Sequence, residues 1–329
     1  MIFLIILVLT TACELDKGQP REVGHYKGLD VILQPGVPQQ ALSYDGDDLL
    51  AMLRESKNGI ISRSLSTGED ETILTLEQLE HETATVLRPY PDFMLIMEGD
   101  ETQRENQMRI IRSDFPGLTD EQIGEQIETI IEIYEQQAGY EVATHLSDLS
   151  DSEVARGMHT YFGEKMNTQE LRLFLRHLPR IFGVKRARNH AESYSSEWGD
   201  ANGLLGGNDK EDALRHGLLN VFLAKETYGY KSTQLWWAEA VANAHEYGSD
   251  NYSSSNKANQ MDLHNNLIGR DVYSQQAVEK GWWIFKRVTS PTHDQLFQVL
   301  VDKLAGAYKF TEISELQGHR NQLVYFAGP

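Results

Sequence analysis

The stretch Asn208-Asp209-Lys210-Glu211-Asp212-Ala213-Leu214-Arg215-His216 opens the part of the chain whose reading decides the fold. After the Gly206-Gly207 turn, Asn208 or Asp209 is a helix N-cap: a short polar side chain there accepts from the unpaired N–H groups of the first turn. Leu214, Leu218, Leu219, Phe222 and Leu223 follow at helical spacing. Asp212 and His216 stand four apart and share one face of this helix. A carboxylate one turn from an imidazole orients the ring and raises its pKa, which prepares it for general-base work or metal ligation.

Working outward, a second helix is expected over residues 233–246, with Leu235, Trp236, Ala240, Val241 and Ala244 on its apolar face. It ends in His245-Glu246-Tyr247-Gly248, where the glycine can terminate it. A polar loop of Ser, Asn and Asp leads to Met261-Asp262-Leu263-His264-Asn265-Asn266-Leu267-Ile268-Gly269-Arg270. Asp262 with Asn265 or Asn266 places a carboxylate and an amide on one face at one-turn spacing.

These three motifs in order, Asp212-Ala-Leu-Arg215-His216, Ala244-His245-Glu246 and Asp262-Leu263-His264-Asn265-Asn266 with Gly269-Arg270, resemble an uncharacterised bacterial helical family, a domain of unknown function found in secreted and surface proteins and at the carboxyl ends of some polymorphic toxins. The resemblance covers residues 165–290 and implies an all-helical fold with a shared polar centre. It carries no reaction. The implied centre comprises Asp212, Arg215, His216, His245, Glu246, Asp262, Asn265 and Asn266.

Two His, three carboxylates and two Asn brought to the facing ends of three helices would cost several kcal/mol each if left unpaired. Hydrolysis is one use of such a centre. His216 or His245 acts as general base on water, oriented by Asp212 or Glu246, while Asp262, Asn265 and Asn266 hold a divalent cation or polarise the substrate and Arg215 stabilises anionic charge. The same residues also fit a satisfied polar core, with Asp212 and Arg215 as a salt bridge and the Asn pair tying a loop to backbone groups. No Gly-x-Ser-x-Gly nucleophile and no phosphate-loop Lys-Ser/Thr ending is present.

Upstream, residues 98–151 carry 14 acidic residues against 3 arginines. Thr119 with Gln122 forms a capping box, and Ile123, Ile127, Ile130, Ile131 and Tyr134 recur at helical spacing, so Glu121, Glu125, Glu128, Glu132 and Glu135 are expected on the wet face. Ser150 with Glu153 marks another helix start. The charge then reverses: Arg172, Arg176, Arg180, Lys185, Arg186 and Arg188 occur without an acid among them. Arg172, Arg176 and Arg180 form a basic face that can meet anionic lipid or pair with the acidic helix at residues 121–135. Asp45-Gly46-Asp47-Asp48 reads as a turn, and Leu74 to Leu87 has helical spacing.

At the start of the chain, Ile2 to Leu9 is an uncharged apolar run ending in Thr10-Thr11-Ala12-Cys13. It is too short for a permanent membrane span and resembles a bacterial lipoprotein signal, in which Cys13 would be lipidated. It departs from that pattern in having no Lys or Arg before the run and a Thr at position 10, where Leu is usual. Glycines and prolines from Gly18 to Pro38 read as tether. Downstream, Trp282, Trp283, Ile284 and Phe285 are core or interface aromatics; Ser290-Pro291 opens a last helix, and Leu323 to Phe326 is a short strand or docked tail.

Composition sets the outer limits. With 329 residues, 40% apolar and 24% charged, the chain is globular, and a net charge of −19 repels phosphate backbones and argues against nucleic acid. One cysteine leaves any metal to His, Asp, Glu or Asn. The expectation is an all-α protein at the bacterial cell envelope, facing the periplasm or exterior and held to the membrane through Cys13. It divides into a signal peptide (1–12), a lipidated tether (13–40), an acidic mainly helical region (41–164) and a helical domain with the site (165–329). The domain is a hydrolase acting on lipid or another envelope polymer, or a non-catalytic helical domain that is structural or binds a partner.

Overall fold

Lys27 and Gly28, at φ of 46° and 85°, reverse the chain between strands β1 (Val23–Tyr26) and β2 (Leu29–Ile32). Val31, Leu33 and Val37 are buried behind this hairpin, and the Gln34 N–H donates to Gln137 Oε1 at 2.8 Å. Packed structure therefore already occupies residues 21–40, where a tether was expected. Gly and Pro punctuate tight turns and loose linkers alike, so composition alone does not separate them. The computed structural model describes residues 21–56, 59–63, 70–87, 90–149, 165–204, 206–249, 252–280 and 287–326. Cys13, the Ser150/Glu153 helix start and the Trp282-Trp283 aromatics lie outside them.

The first half is built from α1 (Gly46–Glu55), the small hairpin β3 (Ile61–Arg63) and β4 (Asp70–Thr72), α2 (Leu76–Val86), α3 (Phe93–Glu98), α4 (Glu101–Asp114), α5 (Asp120–Glu125) and α6 (Ile127–Asp148). Asp45 and Asp48 are not a free turn. Asp45 accepts from the N–H groups of Asp47 and Asp48, and Asp48 accepts from that of Asp45, a reciprocal box that starts α1. The Thr119–Gln122 box is present as expected.

The second half contains α7 (Thr168–Arg176), a 3-10 turn at Leu178–Arg180 with Pro179 in its first positions, α8 (Ile181–Asn202), α9 (Lys210–Lys225), α10 (Lys231–Tyr247), α11 (Lys257–Gln276), strands β5 (Val278–Lys280) and β6 (Arg287–Thr289), α12 (His293–Ala305), β7 (Tyr308–Lys309) and β8 (Val324–Tyr325). The cap of α12 is Thr292, boxed with Gln295, rather than Ser290. The expected terminal strand forms and pairs in parallel with β7.

Among the described residues the fold is all-helical apart from these short strands, and no described helix is long and apolar enough to cross a membrane. One apolar cluster joins Leu49 and Leu53 of α1 to Val142 of α6, Leu175 of α7, Phe222 of α9, Trp237 of α10, Ile268 of α11 and Leu300 of α12. A second gathers β2 and α3 to α6 around Tyr134. The basic stretch is answered inside the chain: Arg172 meets Asp47 at 2.8 Å, Arg176 meets Glu132 at 3.3 Å, and Arg180 meets Glu135 at 2.7 Å. Glu135 is therefore buried instead of lying on the wet face.

Candidate functional site

Helix α9 is enclosed by α8, α10, α11 and α12. Leu214, Leu218, Val221 and Phe222 are fully buried on it, and Arg215 reaches solvent while Asp212, His216 and Asn220 are held inside. Asp209 caps the helix, its Oδ1 accepting from the N–H groups of Glu211 and Asp212. Asp212, His216 and Asn220 then follow at one-turn intervals, all buried. Helix α11 presents Asp262, Asn266 and Arg270 at the same spacing. The two helices touch backbone to backbone at Gly269, where an added Cβ would lie 2.2 Å from the Gly217 carbonyl oxygen. This close approach brings the two polar stripes together.

His216 is the hub. Its Nε2 lies 3.2 Å from Asp262 Oδ1 and 3.6 Å from Asp212 Oδ1, and its Nδ1 lies 3.8 Å from Glu246 Oε1. Asp212 Oδ1 also accepts from Arg215, while Asp212 Oδ2 accepts the Asn208 N–H at 2.8 Å. Burial disfavours the charged form of Asp212, but His216 and Arg215 override it and hold the carboxyl well below its usual range. Asp262 behaves oppositely: burial, reinforced by Glu246 and Asp212, pushes it up to about 7 against the pull of His216. His216 is raised, because its carboxylate neighbours outweigh burial. Two carboxyls of ordinarily similar acidity are thus driven apart by their surroundings, as in acid–base sites.

Glu246 is positioned from behind. Asn266 Nδ2 donates to Glu246 Oε1 at 3.4 Å, Asn220 Nδ2 donates to Asn266 Oδ1 at 2.7 Å, and Arg270 Nη1 donates to Asn220 Oδ1 at 2.9 Å. Asn220 and Arg270 do not belong to the centre expected from sequence. Their positions one turn beyond His216 and Asn266 are the signal that would have found them.

Two expected members lie elsewhere. Asn265 donates to the Val324 carbonyl and accepts from the Val324 N–H, both at 2.9 Å, so its amide ties β8 to α11. A residue adjacent to Asn266 points about 100° away around the helix, which is why only one of the pair faces His216. His245 is half-exposed and meets Glu170 Oε1 at 3.0 Å. It lines a cavity of about 280 Å³ whose wall also includes His216, Arg215, Glu246 and Asn266, with Phe174, Val184, Leu219 and Val241 as apolar surface.

An all-helical domain with a buried His–carboxylate centre beside a cavity is the class that fold and site define. Residues 171–296 match the model of a family described as a domain of unknown function (DUF6973). That span contains every residue of the centre. No curated protein and no solved structure matches the chain.

Proposed function

We propose that this chain is an envelope-anchored lipoprotein whose helical domain is a hydrolase acting on a lipid or another envelope polymer, with water activated at the His216 centre. The observation that carries the reading is the convergence of Asp212, Asp262 and Glu246 on the two nitrogens of one buried imidazole that reaches a cavity wall. Such a cluster is costly to bury, and Asp262 Oδ1 and His216 Nδ1 make no hydrogen bond. Arg215, half-exposed beside Asp212 and lining the cavity, is placed to stabilise charge that develops on a substrate oxygen. The apolar wall suits a substrate that carries an acyl or alkyl portion next to its polar bond.

The Ala12-Cys13 signal supports anchoring, and the context in secreted proteins and toxin termini implied by the sequence resemblance supports an exported enzyme. The test is a screen of the full chain for release of fatty acids from phospholipid vesicles and of fragments from peptidoglycan. Turnover that disappears in His216→Gln, with thermal melting unchanged, supports the assignment; turnover retained in that variant, or none on any substrate, rejects it. Cys13→Ala should release the protein from membranes into the soluble fraction, and an unchanged distribution rejects the anchor.

One observation favours a non-catalytic lipoprotein with a structural or partner-binding helical domain. The amides of Asn265, Asn266 and Asn220 are engaged in internal hydrogen bonds, as in a polar core that specifies packing. That reading predicts that His216→Gln lowers the melting temperature markedly.

A further inference from the structure

Asp212, His216 and Asp262 each contribute one ligand-type atom to a group in which no two of those atoms lie more than 4.8 Å apart. We infer that this group is a site for one divalent transition ion of the zinc or manganese type, held by His216 Nε2, Asp212 Oδ1 and Asp262 Oδ1, with the remaining coordination open to water.

The geometry has the right scale. Four ligands set tetrahedrally at about 2.1 Å from an ion stand about 3.4 Å from one another. The two distances from His216 Nε2, 3.2 Å to Asp262 Oδ1 and 3.6 Å to Asp212 Oδ1, fall on either side of that value. These two edges fit an ion, and the Asp212 and Asp262 oxygens lie within 4.8 Å of each other, so the two carboxylates would close on an ion as it enters.

The unpaired atoms have the right identity. Asp262 Oδ1 is buried and makes no hydrogen bond, with His216 Nε2 3.2 Å away, so its lone pairs remain free for an ion between them. Asp212 Oδ1 gives one lone pair to Arg215 and keeps another. The other ring nitrogen completes the case: a histidine that binds metal through Nε2 must carry its proton on Nδ1 and donate it to an acceptor. His216 Nδ1 is buried without a hydrogen bond and faces Glu246 Oε1 at 3.8 Å. Glu246 is in turn held by the Asn266–Asn220–Arg270 chain. Glu246 is therefore the outer carboxylate that such a ligand would use once Nδ1 closes from 3.8 Å to hydrogen-bond distance.

The donor set selects the ion. One imidazole with two carboxylates suits zinc or manganese, whereas calcium takes about 6 to 8 oxygens and finds too few here. Three protein ligands with an open position match ion sites that activate water rather than closed structural ones. This assignment supplies the water activator for the hydrolase reading and rests on that reading for its role, though not for binding itself.

The experiment is calorimetric titration of the full chain, stripped with chelator, using zinc and manganese chlorides alone, with cobalt(II) absorption as a second readout. One equivalent should bind, with affinity lost in Asp262→Asn and in His216→Gln and reduced about 10- to 100-fold in Glu246→Gln. Circular dichroism melting establishes that each variant is folded. Absence of binding to the wild type overturns the inference. So does binding that survives both ligand variants, including binding that disappears instead in His293→Gln, which would place the ion at His190, Glu226 and His293. Ion binding without turnover on any substrate rejects only the hydrolase reading, and turnover by the stripped protein rejects only the ion's part in the chemistry.

Discussion

Arg180 Nε donates to Glu135 Oε1 at 2.7 Å with both side chains 3% exposed. His177 Nδ1 meets the other oxygen of Glu135 at 2.7 Å, and the Arg180 guanidinium also reaches the Thr227 hydroxyl and the Tyr228 carbonyl. This group fastens α6 to the turn before α8 and to the loop after α9, and so supports the helix that carries His216.

Removing one partner of this pair should be more damaging than its surface equivalents. Glu135→Ala leaves a buried guanidinium without its counter-charge and should destabilise the fold by about 3 to 5 kcal/mol. By contrast Lys27→Ala, which removes an exposed partner of Glu132, should cost about 0 to 1 kcal/mol. Urea titrations of both variants check the contrast, and equal costs would refute it.

The same carboxylate predicts an acid limb in stability. Burial opposes the charge on Glu135, but Arg180 and His177 hold it at about 2, below the ordinary 4.5. A depressed carboxylate contributes stability that is complete above the unfolded value and is lost as pH falls from about 4.5 toward 2. Stability measured against pH should fall through that window in the wild type and less steeply in Glu135→Gln.

Glu141 has the opposite sign. Burial pushes it up to about 7 although the Tyr90 hydroxyl donates to it. The folded state then holds a proton that the unfolded chain releases, so stability falls as pH rises from the ordinary 4.5 to about 7 and is flat above. Glu141→Gln should remove that decline; a wild-type and variant difference that does not change with pH would contradict it.

Gly269 sets the distance between the two polar stripes. Gly269→Ala places a methyl group 2.2 Å from the Gly217 carbonyl oxygen and should cost about 1 to 3 kcal/mol while parting α9 from α11. Loss of chemistry and ion binding at His216 should exceed what the stability change alone would produce. Calorimetric melting with titration on the folded variant measures both.

Asn265 and His245 should separate architecture from chemistry. Asn265→Ala orphans the Val324 N–H and carbonyl and should destabilise by about 1 to 3 kcal/mol with the His216 cluster still competent. His245→Ala removes a half-exposed side chain paired with Glu170 and should cost at most about 1 kcal/mol. A change in turnover in that variant would then report on the cavity wall.

Part of the helical frame was legible because helix starts are local. The Thr119–Gln122 box, the Asp209 cap and the spacing of Leu214, Leu218 and Phe222 each lie within one or two turns of chain. The Asp45–Asp48 box was readable on the same grounds but looks like a turn, since Asp and Gly serve both. The site was legible as three separate motifs. Its extension to Asn220 and Arg270 follows from continuing each stripe by one more turn.

By itself the sequence determined that the chain is helical, where helices such as α5 and α9 begin, that Asp212 and His216 share one helix face and that Asp262 and Asn266 share another, because propensity, caps and periodicity act between near neighbours. Tertiary structure alone decided the rest. The Gly217–Gly269 approach chose which carboxylates meet each nitrogen of His216. Rotation about the α11 axis sent Asn265 to β8 and Asn266 to Glu246. Burial, acting on carboxyls of similar intrinsic acidity, drove Asp212 down and Asp262 up. Each of these depends on groups far apart in the chain, whose distance and solvent exposure exist only once the helices have packed.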